Sequence, residues 1–281
     1  MRTFEFETVD VFTATRFGGN PLAVFPAAEG LTDAEMQRLA AEFNLSETTF
    51  VLPPADPDHT ARVRIFNRSH EMPFAGHPMV GTAFVLAQRT AVAAEVFTFE
   101  VPAGQVAVRL LRDGGAVSGA EIEAPQPLAT GVTLAPGDIA ASIGLRPEDV
   151  LTAAHPPTFA TVGNTYVIAE TTPAALAAAT PDLAAFRRVL ATTPALGGRY
   201  SLYVYARRDA GSVEARMFAP LVGTWEDPAT GSAATPLAAL LLSIAGGDHL
   251  ALDIHQGVRM GRPSLLRASA WRAADGVRAR V

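Results

Sequence analysis

Glu71-Met72-Pro73-Phe74-Ala75-Gly76-His77 and Glu226-Asp227-Pro228-Ala229-Thr230-Gly231-Ser232 share the pattern E-x-P-x-x-G-[HS], with Gly76 of the first matching Gly231 of the second. Each leads into an almost wholly apolar run, Pro78 to Ala87 and Thr235 to Leu242, which suits a helix enclosed on every side. Each is preceded by an Arg-apolar-Phe segment, Arg64-Ile65-Phe66 and Arg216-Met217-Phe218, and each half also has a Gly-Asn pair before a strand, Gly19-Asn20 and Gly163-Asn164. Three elements recurring in the same order imply a duplicated domain. The boundary is expected in the Pro/Gly/Thr-rich stretch from Pro125 to Pro136.

Outward from these motifs the first half reads mainly as strands. Thr3 to Phe12 alternates polar and apolar residues, and further strands are expected at Pro21 to Phe25, Thr48 to Leu52, Ala61 to Phe66, Glu95 to Val101, Gln105 to Leu111 and Ser118 to Glu123. Thr32-Asp33-Ala34-Glu35 is a capping box ahead of Met36, Leu39, Ala40 and Phe43 at helical spacing.

Composition removes whole chemistries. The 281 residues include 22 basic ones, every one an Arg, and Cys is 0. Without Lys there is no Schiff base, no pyridoxal anchor and no phosphate-loop lysine. Without Cys there is no thiolate nucleophile, no disulfide and no thiolate-ligated metal. A net charge of -6 speaks against nucleic acid as a partner. Glu5, Glu7 and Asp10 sit where a secretory signal would be uncharged, and no run of about 18 apolar residues is present, so the expectation is a soluble, cytoplasmic protein with no membrane partner.

The residues left for chemistry are carboxylates, hydroxyls and imidazoles. Gly76-His77 and Gly231-Ser232 open helices, whose N-terminal amides attract anions; as a pair they suggest a shared anion pocket, while singly each could be a simple cap. Glu47 stands at the mouth of an apolar strand, where partial desolvation would tune it for proton transfer; the alternative is an exposed strand-edge residue. His77 and Asp227 have equally plain alternatives, as a backbone-bonded histidine and a turn aspartate. Ser232, His77 and Asp227 supply the residue types of a hydrolytic triad, but no G-x-S-x-G elbow is present. His70, Glu71 and His77 lack the spacing of H-E-x-x-H, so no metal is expected.

Taken together, Asp10-Val11-Phe12 with Gly19-Asn20-Pro21-Leu22-Ala23-Val24, Leu45-Ser46-Glu47-Thr48-Thr49-Phe50, Gly76-His77-Pro78, Glu226 to Ala233, Gln256-Gly257 and Gly261-Arg262-Pro263-Ser264 resemble the PhzF-like phenazine-biosynthesis isomerases, a branch of the diaminopimelate epimerase-like superfamily. The resemblance implies an α/β (α+β) fold of two similar domains, each a curved, mostly antiparallel sheet wrapped around a central helix, with the active site in the cleft between them. The expected domains are 1–124 together with about 270–281, returning to the first domain, and 125–269. The resemblance further implies a homodimer and a cofactor-free isomerase acting on a dihydro-hydroxyanthranilate-like small carboxylate. Glu47 is then the acid/base group, His77 and Asp227 orient substrate and support charge shifts, Gly76, Gly231 and Ser232 cradle its carboxylate, and Ser46 binds or orients it. The superfamily's two epimerase cysteines are here His77 and Ser232. Met79 and Ala234 depart from the residues frequent in relatives, which leaves the substrate open. The other readings are a non-thiol racemase or epimerase of an amino or hydroxy acid, and a carboxylate-binding protein without turnover.

Overall fold

A helix that is apolar on every side has to be surrounded, and that requirement organises both halves of the chain. The computed structural model describes residues 2–90 and 94–281 and divides into two compact units, Met1–Glu123 and Ala124–Val281. Met1, the first residue of the stretch read for a signal, lies outside the described residues.

The first unit contains β1 (Glu7–Val11), β2 (Asn20–Phe25), α1 (Asp33–Phe43), β3 (Glu47–Leu52), β4 (Ala61–Phe66), β5 (Glu71–Met72), α2 (Gly76–Arg89), β6 (Val96–Val101), β7 (Gly104–Asp113) and β8 (Ala116–Ile122). Its sheet runs β1-β2-β3-β4-β6-β7-β8, with β5 added to β4. Among the described residues, only β2–β3 and β4–β6 are parallel. Both ends of this path, β1 and β8, touch α2, so the sheet curls around the helix. The helix comes very close to the strands at Gly81, where a Cβ would fall 2.6 Å from Leu22 Cδ2 and 2.8 Å from Val11 Cγ2.

Strand alternation then decides which residues meet α2. Thr49 faces it, its hydroxyl 2.8 Å from that of Thr82, whereas Phe50 faces the other way into a cluster with Phe25, Met36, Ala40 and Phe66 beneath α1. Glu47 shares the parity of Thr49 and so faces the helix. The expected capping box forms: Thr32 Oγ1 accepts the Glu35 amide and Glu35 Oε2 accepts the Thr32 amide. The first strand is shorter than its alternation suggested, beginning at Glu7. Its partner β2 ends at Phe25, because Pro26 has no N–H to extend the ladder. The preceding residues lie elsewhere, with Arg2 bonded to Gly30 and Glu35 and Phe4 packed on the cluster beneath α1.

The second unit contains β9 (Ala129–Thr133), α3 (Pro136–Ile143), β10 (Val150–Leu151), β11 (Thr158–Thr161), β12 (Thr165–Thr171), α4 (Pro173–Ala178), α5 (Leu183–Thr192), β13 (Leu202–Arg207), β14 (Ser212–Ala219), β15 (Thr224–Asp227), α6 (Gly231–Ala245), β16 (His249–Gln256), β17 (Ser264–Ala273) and β18 (Gly276–Arg280). The order is β18-β17-β16-β14-β13-β12-β11-β9, with β15 on β14 and β10 on β12. Read from β11, the senses are antiparallel, parallel, antiparallel, parallel, antiparallel, antiparallel, the same series as from β1. In each unit the central helix follows the short added strand and precedes the parallel crossover. The two units are therefore similar α+β domains built on one plan.

The end of the chain departs from expectation. Residues 270–281 stay in the second unit: β18 pairs with β17, Ala124 donates to Ala279 O at 2.9 Å, and Leu128 donates to Val277 O at 2.7 Å. Val277, Ala279 and Val281 are buried, and β18 packs against α6, which holds the last strand there.

The motif glutamates complete the plan. Arg64 grips Glu71 with two bonds of 2.7 and 2.6 Å, and Arg216 grips Glu226 with two of 2.8 Å. Each guanidinium also lies over the Phe two residues on, at 5.1 Å from Phe66 and 4.9 Å from Phe218. Arg216 donates further to the carbonyls of Leu176 and Ala179 around the end of α4. Removing one partner of such a buried pair strands the other. Arg216→Ala is expected to cost about 3–5 kcal/mol in chemical denaturation, and adding Glu226→Ala is expected to restore part of the loss. In the first unit Glu100 accepts the amides of Ala55 and Asp56 and faces His59 at 2.9 Å. Those two backbone N–H groups, then the His59 bond, hold its carboxyl down at about 2. Its contribution is in place above the ordinary value of 4.5 and is lost as pH falls through about 2. Acid-unfolding curves of Glu100→Gln should be flatter than the parent's in that window.

Candidate functional site

Parallel neighbours β2 and β3 begin at the same end of the first sheet, at Asn20 and Glu47, with Leu22 and Glu47 in register. Glu47 faces α2 there, and the second residue of that helix is His77. His77 Nε2 lies 3.4 Å from Glu47 Oε2, and the side chains are only 8% and 16% exposed. The pair lacks the alignment of a hydrogen bond, and His77 Nε2 has no hydrogen-bond partner. Burial pushes the imidazole down to about 3, so it is neutral at physiological pH. Ser46 is half-buried immediately before Glu47, and Gly76 is the first residue of α2. Asn20 is fully buried on the same face as Leu22, two residues earlier.

The equivalent place in the second unit is the turn from Asp227 to Ser232. Asp227 closes β15 and is buried; its Oδ2 accepts the Thr230 hydroxyl at 2.5 Å. Gln256 bonds Asp227 O and Thr230, and the Ser264 hydroxyl donates to Pro228 O at 2.9 Å. Gly257 has a φ of +73° and passes so close beneath the turn that a Cβ would sit 2.6 Å from Pro228 O. Any side chain there would displace the turn, which accounts for the Gln-Gly pair in the sequence. Gly231 and Ser232 open α6, and the Ser232 hydroxyl lies 2.7 Å from that of Tyr166 on β12.

Neither central helix starts with a capping side chain: the residues before them, Ala75 and Thr230, leave the first helical amides uncapped, and the Thr230 hydroxyl is committed to Asp227. The simple-cap alternative for these glycine starts is thereby set aside. Two of the other combinations are also used up. Glu71 is bidentate on Arg64, away from any metal role with His70, and Ser232 is bonded to Tyr166, a residue with no part in a hydrolytic triad.

Within the first unit Glu47 and His77 come together, and within the second Asp227, Gly231 and Ser232 do. Motif reading assigned no role to Asn20, Tyr166, Tyr203, Thr230 or Gln256. Gln256 carried a readable signal, because it continues the buried row Leu252, Ile254 along β16 with a polar group.

Comparison with known proteins identifies the family. Residues 9–281 match the family described as phenazine biosynthesis-like protein. An uncharacterized isomerase of Mesorhizobium japonicum is 39% identical over 278 residues, covering 95% of this chain and 90% of the relative. The trans-2,3-dihydro-3-hydroxyanthranilate isomerase of Pseudomonas aeruginosa is 37% identical over 281 residues, covering 98% and 93%. The crystal structure of a Bacillus anthracis phenazine biosynthesis protein of the PhzF family superposes with a TM-score of 0.88 over 100% of this chain and 95% of that one; at 24% identity it shows the shared fold. With its doubled sheet plan and a match along nearly its whole length, the chain belongs to the phenazine biosynthesis-like, or PhzF, family of isomerases.

Proposed function

We propose that this isomerase moves a proton between two carbons of a small cyclic carboxylate by general acid/base catalysis without a cofactor, and that a trans-2,3-dihydro-3-hydroxyanthranilate-like compound is its substrate class. The observation that carries this reading is the buried Glu47–His77 pair, with an imidazole nitrogen that has no hydrogen-bond partner of its own. A carboxylate beside a neutral imidazole can take a proton from carbon while the electron pair moves along the conjugated system. Delivering a proton to a second carbon, from a carboxyl that can exchange with solvent, leaves the molecular formula unchanged. His77, neutral and fixed, contributes a hydrogen bond and no charge. Asp227 orients polar groups of the substrate, Gly76, Gly231 and Ser232 hold its carboxylate, and Ser46 assists beside Glu47. The 37% identity to a dihydrohydroxyanthranilate isomerase supports the substrate class.

With trans-2,3-dihydro-3-hydroxyanthranilate as the probe and NMR as the readout, Glu47→Gln is expected to lower turnover roughly 10²–10⁴-fold. A parental rate in that variant removes Glu47 from the mechanism. In deuterated water, label at the newly protonated carbon with movement of the double bond supports isomerisation; stereoinversion with the double bonds unmoved supports racemase chemistry. His77 gives a pH signature as well. It is neutral in the fold down to about 3 but protonates near 6.5 when unfolded, so the unfolded state binds the extra proton between those values and stability rises with pH across that window. His77→Gln should flatten that slope in denaturation measured from acid to neutral pH.

A further inference from the structure

Gln256 is fully buried, and both ends of its amide are doubly engaged. Its Nε2 donates to Asp227 O at 2.8 Å and to Thr230 Oγ1 at 3.0 Å, while Oε1 accepts the Tyr203 hydroxyl at 3.0 Å and the Thr230 amide at 3.3 Å. A peptide carbonyl cannot donate, so the contact with Asp227 O fixes which end of the amide carries nitrogen. The next link is fixed in turn. Nε2 has only protons to give, so Thr230 Oγ1 accepts there, and the single Thr230 proton points to Asp227 Oδ2 at 2.5 Å. The relay Gln256 to Thr230 to Asp227 thus has one direction, and Asp227 ends it as an acceptor.

We propose that Gln256 is a positioning residue that, through Thr230, aims the Asp227 carboxylate at an amino or hydroxyl donor carried by a ring carboxylate substrate. The inference rests on the substrate-orienting role proposed above for Asp227. A carboxylate can take about four hydrogen bonds, so the Thr230 bond sets its rotation and uses one of them. Gly257 and Ser264 lock the backbone of the same turn from beneath, which leaves the side chain little freedom to follow a badly matched ligand. A ligand with an N–H or O–H at the right place satisfies the aimed carboxylate. One without it forgoes that charge-assisted hydrogen bond and binds more weakly.

Anthranilate and benzoate differ by that one amino donor and serve as the probes, with affinities read by calorimetry and melting curves on the full chain. The parent is expected to bind anthranilate about 10- to 100-fold more tightly than benzoate, the usual weight of a hydrogen bond to a charged group. Thr230→Val and Gln256→Glu should bring that ratio close to one while benzoate binding persists, and Thr230→Ser should keep it. A merely structural role would weaken both probes alike. Should Thr230→Val melt below the assay temperature, Thr230→Ala carries the same comparison. A parent that does not distinguish the probes, or a hydroxyl-free variant that still does, overturns the proposal. Failure of the isomerase reading shows separately, as a parent inert toward trans-2,3-dihydro-3-hydroxyanthranilate, and leaves the ratio intact.

Discussion

Two arginines gripping two glutamates hold the turns from which both central helices begin. Arg64 and Arg216 sit on strands next to the helix-bearing turn, Glu71 and Glu226 sit on the short added strands, and each pair is bidentate and stacked on a Phe. A planar guanidinium fixes both the distance and the plane of its partner. The residues just after each glutamate are therefore delivered to set positions: Gly76 and His77 in one unit, Asp227 and Ser232 in the other. The work of these motif glutamates is architectural.

Around those anchors the two units make different use of one plan. The first places an acid and an imidazole side by side where β3 begins, and burial keeps the imidazole neutral. The second places a carboxylate at the end of a chain of neutral groups, Tyr203, Gln256 and Thr230, whose last hydroxyl donates to it. In the function proposed above, the first arrangement serves proton transfer and the second serves orientation. The second helical position differs as well, His77 in one unit and Ser232 in the other.

Much of this was legible before any coordinates. The capping box, strand β4 and the enclosed helices follow from periodicity, since a residue's face is fixed by its place in a repeat of 2 or 3.6. The duplicated motif foretold the duplicated sheet because its Gly and Pro residues mark backbone turns that few other sequences can make. Three things were hidden. That β1 begins at Glu7 depends on where its partner stops, and the place of β18 depends on a sheet assembled from distant segments. The Gln256 relay joins residues far apart in sequence through hydrogen bonds that local pattern does not encode. Family resemblance pointed to Glu47 and His77; their proximity is a tertiary fact.

The repeated series of strand senses carries a hazard of its own during synthesis. A chain holding one pairing programme twice can thread a segment of the earlier copy into the sheet of the later one, the misassembly to which tandem domains are prone. Strand β9, the short β10 and the three helices α3, α4 and α5, where the first copy has α1 alone, break that equivalence. Besides filling the outer layer, these insertions leave the two copies unlike in length and in strand partners, which weakens the match between a strand of one and the sheet of the other.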